Sequence, residues 1–284
     1  MKHLDSLFAA AGATLLLAAC GGGGSGSGGT VDVAPASVSA VSIDQPLRYG
    51  QPAVLKVTGI SLDQGITLTA PGCSSLTEKA GSTSTTRSYN CQVAVASNLS
   101  IKTTNSAGVS LYSAALPVPD PQVTMVTSSG TLVLELNPAQ APLTVDNFLK
   151  YTGDGFYTNL LFHRVIAGFV IQGGGFTTGP VLKAATYAPI KLESNKGLSN
   201  LRGTLAMART SVADSATSQF FINVVDNAGL DYASAASPGY AVFGKVVTDM
   251  AVVDAIRAVP TGTRNGLSDV PLTDVVIVSA TQTR

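Results

Sequence analysis

Residues Leu161–Phe176 read LFHRVIAGFVIQGGGF, an apolar, strand-like run interrupted by His163, Arg164 and Gln172. A guanidinium inside such a run must be paired or must face a site, because an unpaired buried cation is too costly. Two uses therefore stand side by side for Arg164: a structural ion pair, or a charged donor aimed at a bound group. Strand alternation puts Phe162 and Arg164 on one face and His163 on the other, which makes either the imidazole or the guanidinium the buried group. Gly173-Gly174-Gly175 invites comparison with phosphate-binding loops, but no Lys-Ser/Thr pair follows it and the spacing fits no nucleotide motif.

Composition narrows the chemistry further. The chain has two histidines in 284 residues, His3 and His163, so once a leader is removed no multi-histidine metal centre can form. A His-dependent triad would have to be built on His163; neither a metal nor a cofactor is expected. Lys+Arg and Asp+Glu balance at 17 each, which excludes strong electrostatic attraction to nucleic acid or to an anionic membrane surface. Only 12% of residues are charged, about half the usual share, and 45% are apolar. Ser, Thr and Gly must supply much of the polar surface, which suits a β-rich exported protein.

The elements that must position these residues fall into four segments. Residues 1–19 carry Lys2, then an apolar run from Leu7 to Ala19, too short to span a bilayer comfortably, as in an export signal. Leu17-Ala18-Ala19-Cys20 resembles a lipobox, which would make Cys20 a lipidated N-terminus. Residues 20–30 then form a Gly/Ser tether. The expected location is an exported, lipid-anchored protein on the periplasmic face of a bacterial membrane, with Gly21 after Cys20 favouring the outer membrane. Residues 31–118 alternate in short runs punctuated by Gly and Pro, and predict a small immunoglobulin-like β-sandwich, though one without the buried Trp. Cys73 and Cys91 lie in that segment, 18 positions apart, and an oxidising compartment predicts a disulfide between them. Pro117–Pro121 marks the boundary to the last segment, residues 119–284. There, Val123–Thr127 and Thr131–Leu136 predict a hairpin, and Ala141–Leu149 a helix start with Thr144 as N-cap and Asp146 in its first turn. Asp249–Val259 predicts a second helix and Val275–Thr281 a closing strand; the sum is a closed β-barrel with helical lids.

Four blocks in the last segment resemble the cyclophilin family of peptidyl-prolyl cis–trans isomerases. They are Phe162–Ile166 with Gly168–Gly174, Gly203–Arg209, Ser218–Ile222 and Val242–Val246, in family order, within a resemblance covering about Val123 to Val278. The resemblance implies a barrel of eight antiparallel strands capped by two helices. It also implies isomerase activity with no cofactor, and extended, proline-containing polypeptides as partners of a monomer. Arg164, Phe169, Gln172 and Phe221 match the catalytic positions, with Arg164 directed at the prolyl nitrogen. Val170, Ala208, Arg209, Gln219, Leu230 and Tyr240 match substrate-binding positions, whereas His163 matches a non-catalytic neighbour. Departures are Val170 for a common methionine, Arg209 for a frequent asparagine, Tyr240 for a frequent histidine, and Gly229 where many members carry an aromatic residue that contacts cyclosporin. Two other readings compete with an enzyme: a non-catalytic proline-peptide docking module, and an adhesion or assembly lipoprotein whose function lies in the first domain.

Overall fold

A computed structural model describes residues 34–248 and 250–284. The expected leader, Cys20, the Gly/Ser tether and Asp249 lie outside the described residues.

Seven strands come first: β1 (Ser37–Ile43), β2 (Pro52–Ile60), β3 (Ile66–Thr69), β4 (Cys73–Glu78), β5 (Thr86–Val93), β6 (Ser97–Asn105) and β7 (Ser110–Val118). They pair antiparallel into two sheets, ordered β1-β2-β5-β4 and β3-β6-β7. Period-two patterning decides what each strand buries: Leu55 and Val57 in β2, Tyr89, Cys91 and Val93 in β5, and Leu99 and Ile101 in β6 all face inward. Lys56, Asn90, Ser100 and Lys102, at the alternate positions, are exposed. The expected disulfide joins Cys73 to Cys91, bridging the adjacent strands β4 and β5 within one sheet.

Beyond Pro119-Asp120-Pro121 the pattern changes to a barrel. Its strands are β8 (Gln122–Thr127), β9 (Gly130–Leu136), β10 (Leu160–Val165), β11 (Val170–Thr177), β12 (Val181–Leu182), β13 (Thr204–Met207), β14 (Phe220–Asn223) and β15 (Val242–Val246), with β18 (Val276–Gln282) at the end. A separate hairpin, β16 (Thr261–Arg264) and β17 (Leu267–Pro271), precedes β18. The order β10-β18-β8-β9-β15-β13-β14-β11 closes through direct β10–β11 pairing, and β12 is appended to β11. Eight antiparallel strands thus form the closed wall, as the family resemblance implied.

The barrel interior is filled with side chains. Ile171, Ile222 and Leu205 lie opposite one another on β11, β14 and β13 and are fully buried. Phe148, from helix α1 (Pro142–Gly153), plugs one end, its ring 5.1–5.6 Å from those of Tyr157, Phe220 and Phe243. Such tilted and edge-on aromatic contacts add to the burial of large apolar area. The start of α1 differs from the expected one. Pro142 opens the helix, Ala141 is the N-cap, and Thr144 lies inside the first turn. The orphan backbone donors are met from a distance by Glu193, whose buried carboxylate accepts from the N–H of Leu143 (3.2 Å) and of Thr144 (2.8 Å), and from the Thr144 hydroxyl (2.7 Å). The second helix, α2, spans Ala251–Arg257 and buries Val253 and Ile256.

Hydrogen bonds tie the first sheets to the barrel. The buried Tyr49, between β1 and β2, donates to Asp146 Oδ1 on α1 at 2.7 Å, and Gln282 Nε2 on β18 donates to the Tyr49 carbonyl at 2.8 Å. Gln51 donates to Gln282 Oε1 at 2.9 Å. Burial and the adjacent Asp146 carboxylate push the Tyr49 hydroxyl well above its ordinary pKa, keeping it a donor.

Candidate active site

Adjacent strands of the barrel carry one continuous row of paired residues. Arg164 on β10 lies opposite Gln172 on β11, Gln172 opposite Phe221 on β14, Phe221 opposite Ala206 on β13, and Ala206 opposite Val242 on β15. Directly paired residues project from the same face of a sheet. Here that is the outer face, since the interleaved residues Ile171, Ile222 and Leu205 belong to the interior.

Arg164 reaches the outer face only because β10 is irregular. Phe162 pairs with Gly173 and Arg164 with Gln172, so β10 carries one residue more than β11 between the two pairs. This bulge reverses the alternation predicted from the sequence. Phe162 points inward, its ring edge-on to Phe220 at 6.0 Å, whereas Arg164 turns outward with 39% of its side chain exposed. His163 is the buried group, its ring 4.4 Å from Phe176. Burial lowers its pKa to about 4, the Arg164 charge acts in the same direction, and the imidazole is neutral at neutral pH. Among the described residues, the carboxylate paired with Arg164 is not a buried one. Asp269 Oδ2 lies 3.9 Å from its Nε, and both side chains are about two-fifths exposed.

Beside this row sits an apolar cluster separate from the main core. Val170, Ala206, Phe221 and Val242 are buried in it, and Phe169, Leu198, Ala208, Leu230 and Tyr240 pack around them half-exposed. The structure therefore brings together Phe169, Val170, Phe221, Ala208, Leu230 and Tyr240, all expected from the sequence. It adds Ala206, Val242 and Leu198, which carried no signal beyond being apolar. Gln172 Nε2 donates to Gln219 Oε1 at 3.0 Å, so the two predicted glutamines form one polar pair next to Arg164. Gly173, Gly174 and Gly175 lie within β11. A Cβ on Gly174, whose φ is +83°, would stand 2.9 Å from the Ser218 carbonyl oxygen, and one on Gly175 would collide with Gln219 at 2.5 Å. Close approach explains the glycine run.

Arg209 is engaged by its own surroundings. Its Nε donates to the Gly239 carbonyl and its Nη1 to the Thr210 carbonyl, each at 2.9 Å, and its guanidinium lies 4.7 Å above the Tyr240 ring. Tyr240 in turn meets Phe221 edge-on at 5.6 Å. An amide network missed in the sequence supports both walls. Asn227 Nδ2 donates to the Phe169 carbonyl (2.9 Å) and to Asn223 Oδ1 (2.8 Å), while Asn200 Nδ2 donates to the Leu230 carbonyl (3.1 Å) and to Asp231 Oδ1 (2.9 Å). Asn200 and Asn223 are wholly buried. The signal available was Asn223, a polar residue ending the apolar run Phe220–Ile222.

The outer-face row, the apolar cluster beside Arg164 and the eight-stranded wall agree with the comparisons to known proteins. The model of the cyclophilin type peptidyl-prolyl cis-trans isomerase family matches residues 122–282, more than half of the chain. The chain belongs to this family. It is accordingly an enzyme of the peptidyl-prolyl cis–trans isomerase class. Peptidyl-prolyl cis-trans isomerase B of Escherichia coli is 54% identical over 161 residues, covering 56% of this chain and 98% of that protein. Peptidyl-prolyl cis-trans isomerase A of Dickeya dadantii is 52% identical over 158 residues, covering 56% and 82%. A cyclophilin of Cryptosporidium parvum, crystallised in the presence of the dipeptide Ala-Pro, superposes with a TM-score of 0.50 at 28% identity, covering 57% of this chain and 99% of that one. The family match begins at residue 122, so β1–β7 lie outside it.

Proposed function

We propose that the chain isomerises X-Pro bonds in extended segments of exported polypeptides, and that the row from Arg164 to Val242 is where it does so. Exchange about an X-Pro bond is slow because the amide must lose its resonance, against a barrier of about 18–20 kcal/mol. No bond is made or broken, so no nucleophile is needed. What lowers the barrier is a surface that holds the twisted amide better than either planar form. The apolar cluster around Phe221 and Val170 suits a pyrrolidine ring. Gln172, Gln219 and the backbone at Ala208 and Arg209 suit the polar groups beside it. Arg164, turned outward next to that cluster, would donate to the prolyl nitrogen. That nitrogen is a poor acceptor in the planar amide and a good one once it pyramidalises.

The five-strand row carries this reading, and removing its charged donor tests it. Arg164→Ala should lower kcat on an Ala-Pro peptide in a protease-coupled assay by two to four orders of magnitude, equivalent to roughly 3–5 kcal/mol. Binding should change little, since the interaction belongs to the transition state. Melting should be nearly unaffected, because the nearest carboxylate is itself exposed. A folded variant with unchanged turnover would remove Arg164 from the mechanism.

The location rests on the export signal and lipobox in residues 1–20 and on the disulfide, which is kept in oxidising compartments. Cys20→Ser should release the protein from the membrane fraction of the producing cell, and unchanged fractionation would refute the anchor. For the first seven strands, the sheet orders β1-β2-β5-β4 and β3-β6-β7 support an immunoglobulin-like sandwich of constant type, with its disulfide placed differently.

A further inference from the structure

Two irregular strands turn toward each other at Arg164. One is the bulge in β10 that brings the arginine to the outer face. The other is in the hairpin β16–β17, which packs against β10. Gly262 pairs with Val270 and Arg264 with Leu267, so β17 spends one residue more than β16 between these pairs, in the stretch that holds Asp269. Asp269 has a φ of +59°, in the left-handed region. Aspartate and asparagine are the non-glycine residues that enter this region at least cost. The left-handed turn takes Asp269 out of the ordinary alternation, and its carboxylate comes to 3.9 Å from Nε of Arg164. The hairpin base is fixed by Arg264, whose Nη1 donates to the Pro271 carbonyl at 2.7 Å and to Asp274 Oδ1 at 2.5 Å.

From this geometry we infer that Asp269 is a positioning residue for the reaction. It attracts the guanidinium from its Nε side and leaves the two Nη groups for the prolyl nitrogen. The inference rests on the role proposed for Arg164. Both side chains are about two-fifths exposed, so the attraction is screened and contributes little to folding. Its effect belongs to the fraction of time that Arg164 spends aimed along the row.

Asp269→Asn is the discriminating variant, because asparagine keeps the left-handed backbone and removes only the charge. In the full chain at low ionic strength, kcat on an Ala-Pro peptide should fall about two- to fivefold, with KM and melting temperature unchanged. Wild-type turnover should decline toward that of the variant as salt rises from about 0.02 M to 0.5 M, while the variant stays flat, because ions screen the pair only where it exists. Asp269→Gly, which also tolerates the backbone, should reproduce the asparagine result. In an Arg164→Lys background, Asp269→Asn should have a smaller effect, since an ammonium offers no Nε for the carboxylate to hold. Equal turnover of Asp269→Asn and wild type at low salt, or a loss confined to KM, would overturn the inference. Wild-type activity in Arg164→Ala would instead refute the role of Arg164 itself, so the two failures are separable.

Discussion

His163 offers a quantitative test of how the β10 bulge partitions its neighbours. The ring is 5% exposed, packed on Phe176, and its pKa is held at about 4 against an ordinary 6.5. Between these values the unfolded chain binds a proton that the folded chain refuses. Stability is therefore intact above pH 6.5 and is lost as pH falls through the window down to about 4. At about 1.4 kcal/mol for each pH unit, the loss reaches roughly 2 kcal/mol by pH 5 and about 3 kcal/mol at the bottom of the window.

Carboxylates also titrate as pH falls, so the informative quantity is the difference from His163→Gln. Urea unfolding at pH 7, 6 and 5 should show wild type losing about 2 kcal/mol more than the variant across that range. Turnover per folded molecule should stay level from pH 5.5 to 8, because the histidine beside Arg164 never becomes charged. Parallel stability loss in the two proteins would refute the buried, neutral imidazole. It would equally refute the bulge that places His163 inside while Arg164 turns out.

Two further expectations follow from local packing. The Cys73–Cys91 bond closes a loop spanning 18 positions, so reducing it should lower the stability of the β1–β7 region by about 3 kcal/mol, read by calorimetry with and without reductant; an unchanged melt would show that the bond is dispensable. Gly175→Ala should push the Gln219 side chain away, since the new Cβ would meet Cγ and Cδ at 2.5 Å, and so break its bond with Gln172. Several-fold lower kcat/KM with a small change in melting is expected, and unaltered peptide turnover would mean that the glutamine pair is not needed.

What could be read in the sequence and what could not divide along a physical line. The blocks around Phe162, Gly203, Ser218 and Val242 became β10–β11, β13, β14 and β15, and it was their resemblance to the cyclophilin family that marked them, since strands such as Phe220–Asn223 are buried throughout and show no alternation. The disulfide was legible because the pairing of two cysteines in an oxidising compartment is local chemistry. An inserted residue in a strand leaves no such mark, so alternation placed Arg164 on the face of Phe162 when the bulge places it opposite. Nor does a cap supplied from 49 positions away: Thr144 has the residue type of an N-cap, but the carboxylate that meets the helix start belongs to Glu193. Ala206 and Val242 looked like core because they are core-like. Only their place in the outer-face row, Ala206 opposite Phe221 and Val242 opposite Ala206, distinguishes them from the interior residues Leu205 and Phe243, one residue away.

That outer location follows from what the enzyme must hold. On the function proposed above, the substrate runs on from both sides of the proline, so an enclosed cavity would have to admit and release a whole chain at each turnover. The barrel interior is in any case filled by Phe148, Tyr157, Phe220 and Phe243. A site on the outer face of a closed sheet avoids this. The chain can lie across the strands, where Gln172, Phe221 and Ala206 are each paired with a neighbouring strand on both sides. Rigidity of this kind matters because a surface complementary to a twisted amide works only if it does not relax toward the planar one. The amide network behind Phe169 and Leu230, the Arg209–Tyr240–Phe221 stack and the glutamine pair all restrain the walls, while Arg164 keeps the long, partly solvated arm that can follow the nitrogen as it pyramidalises.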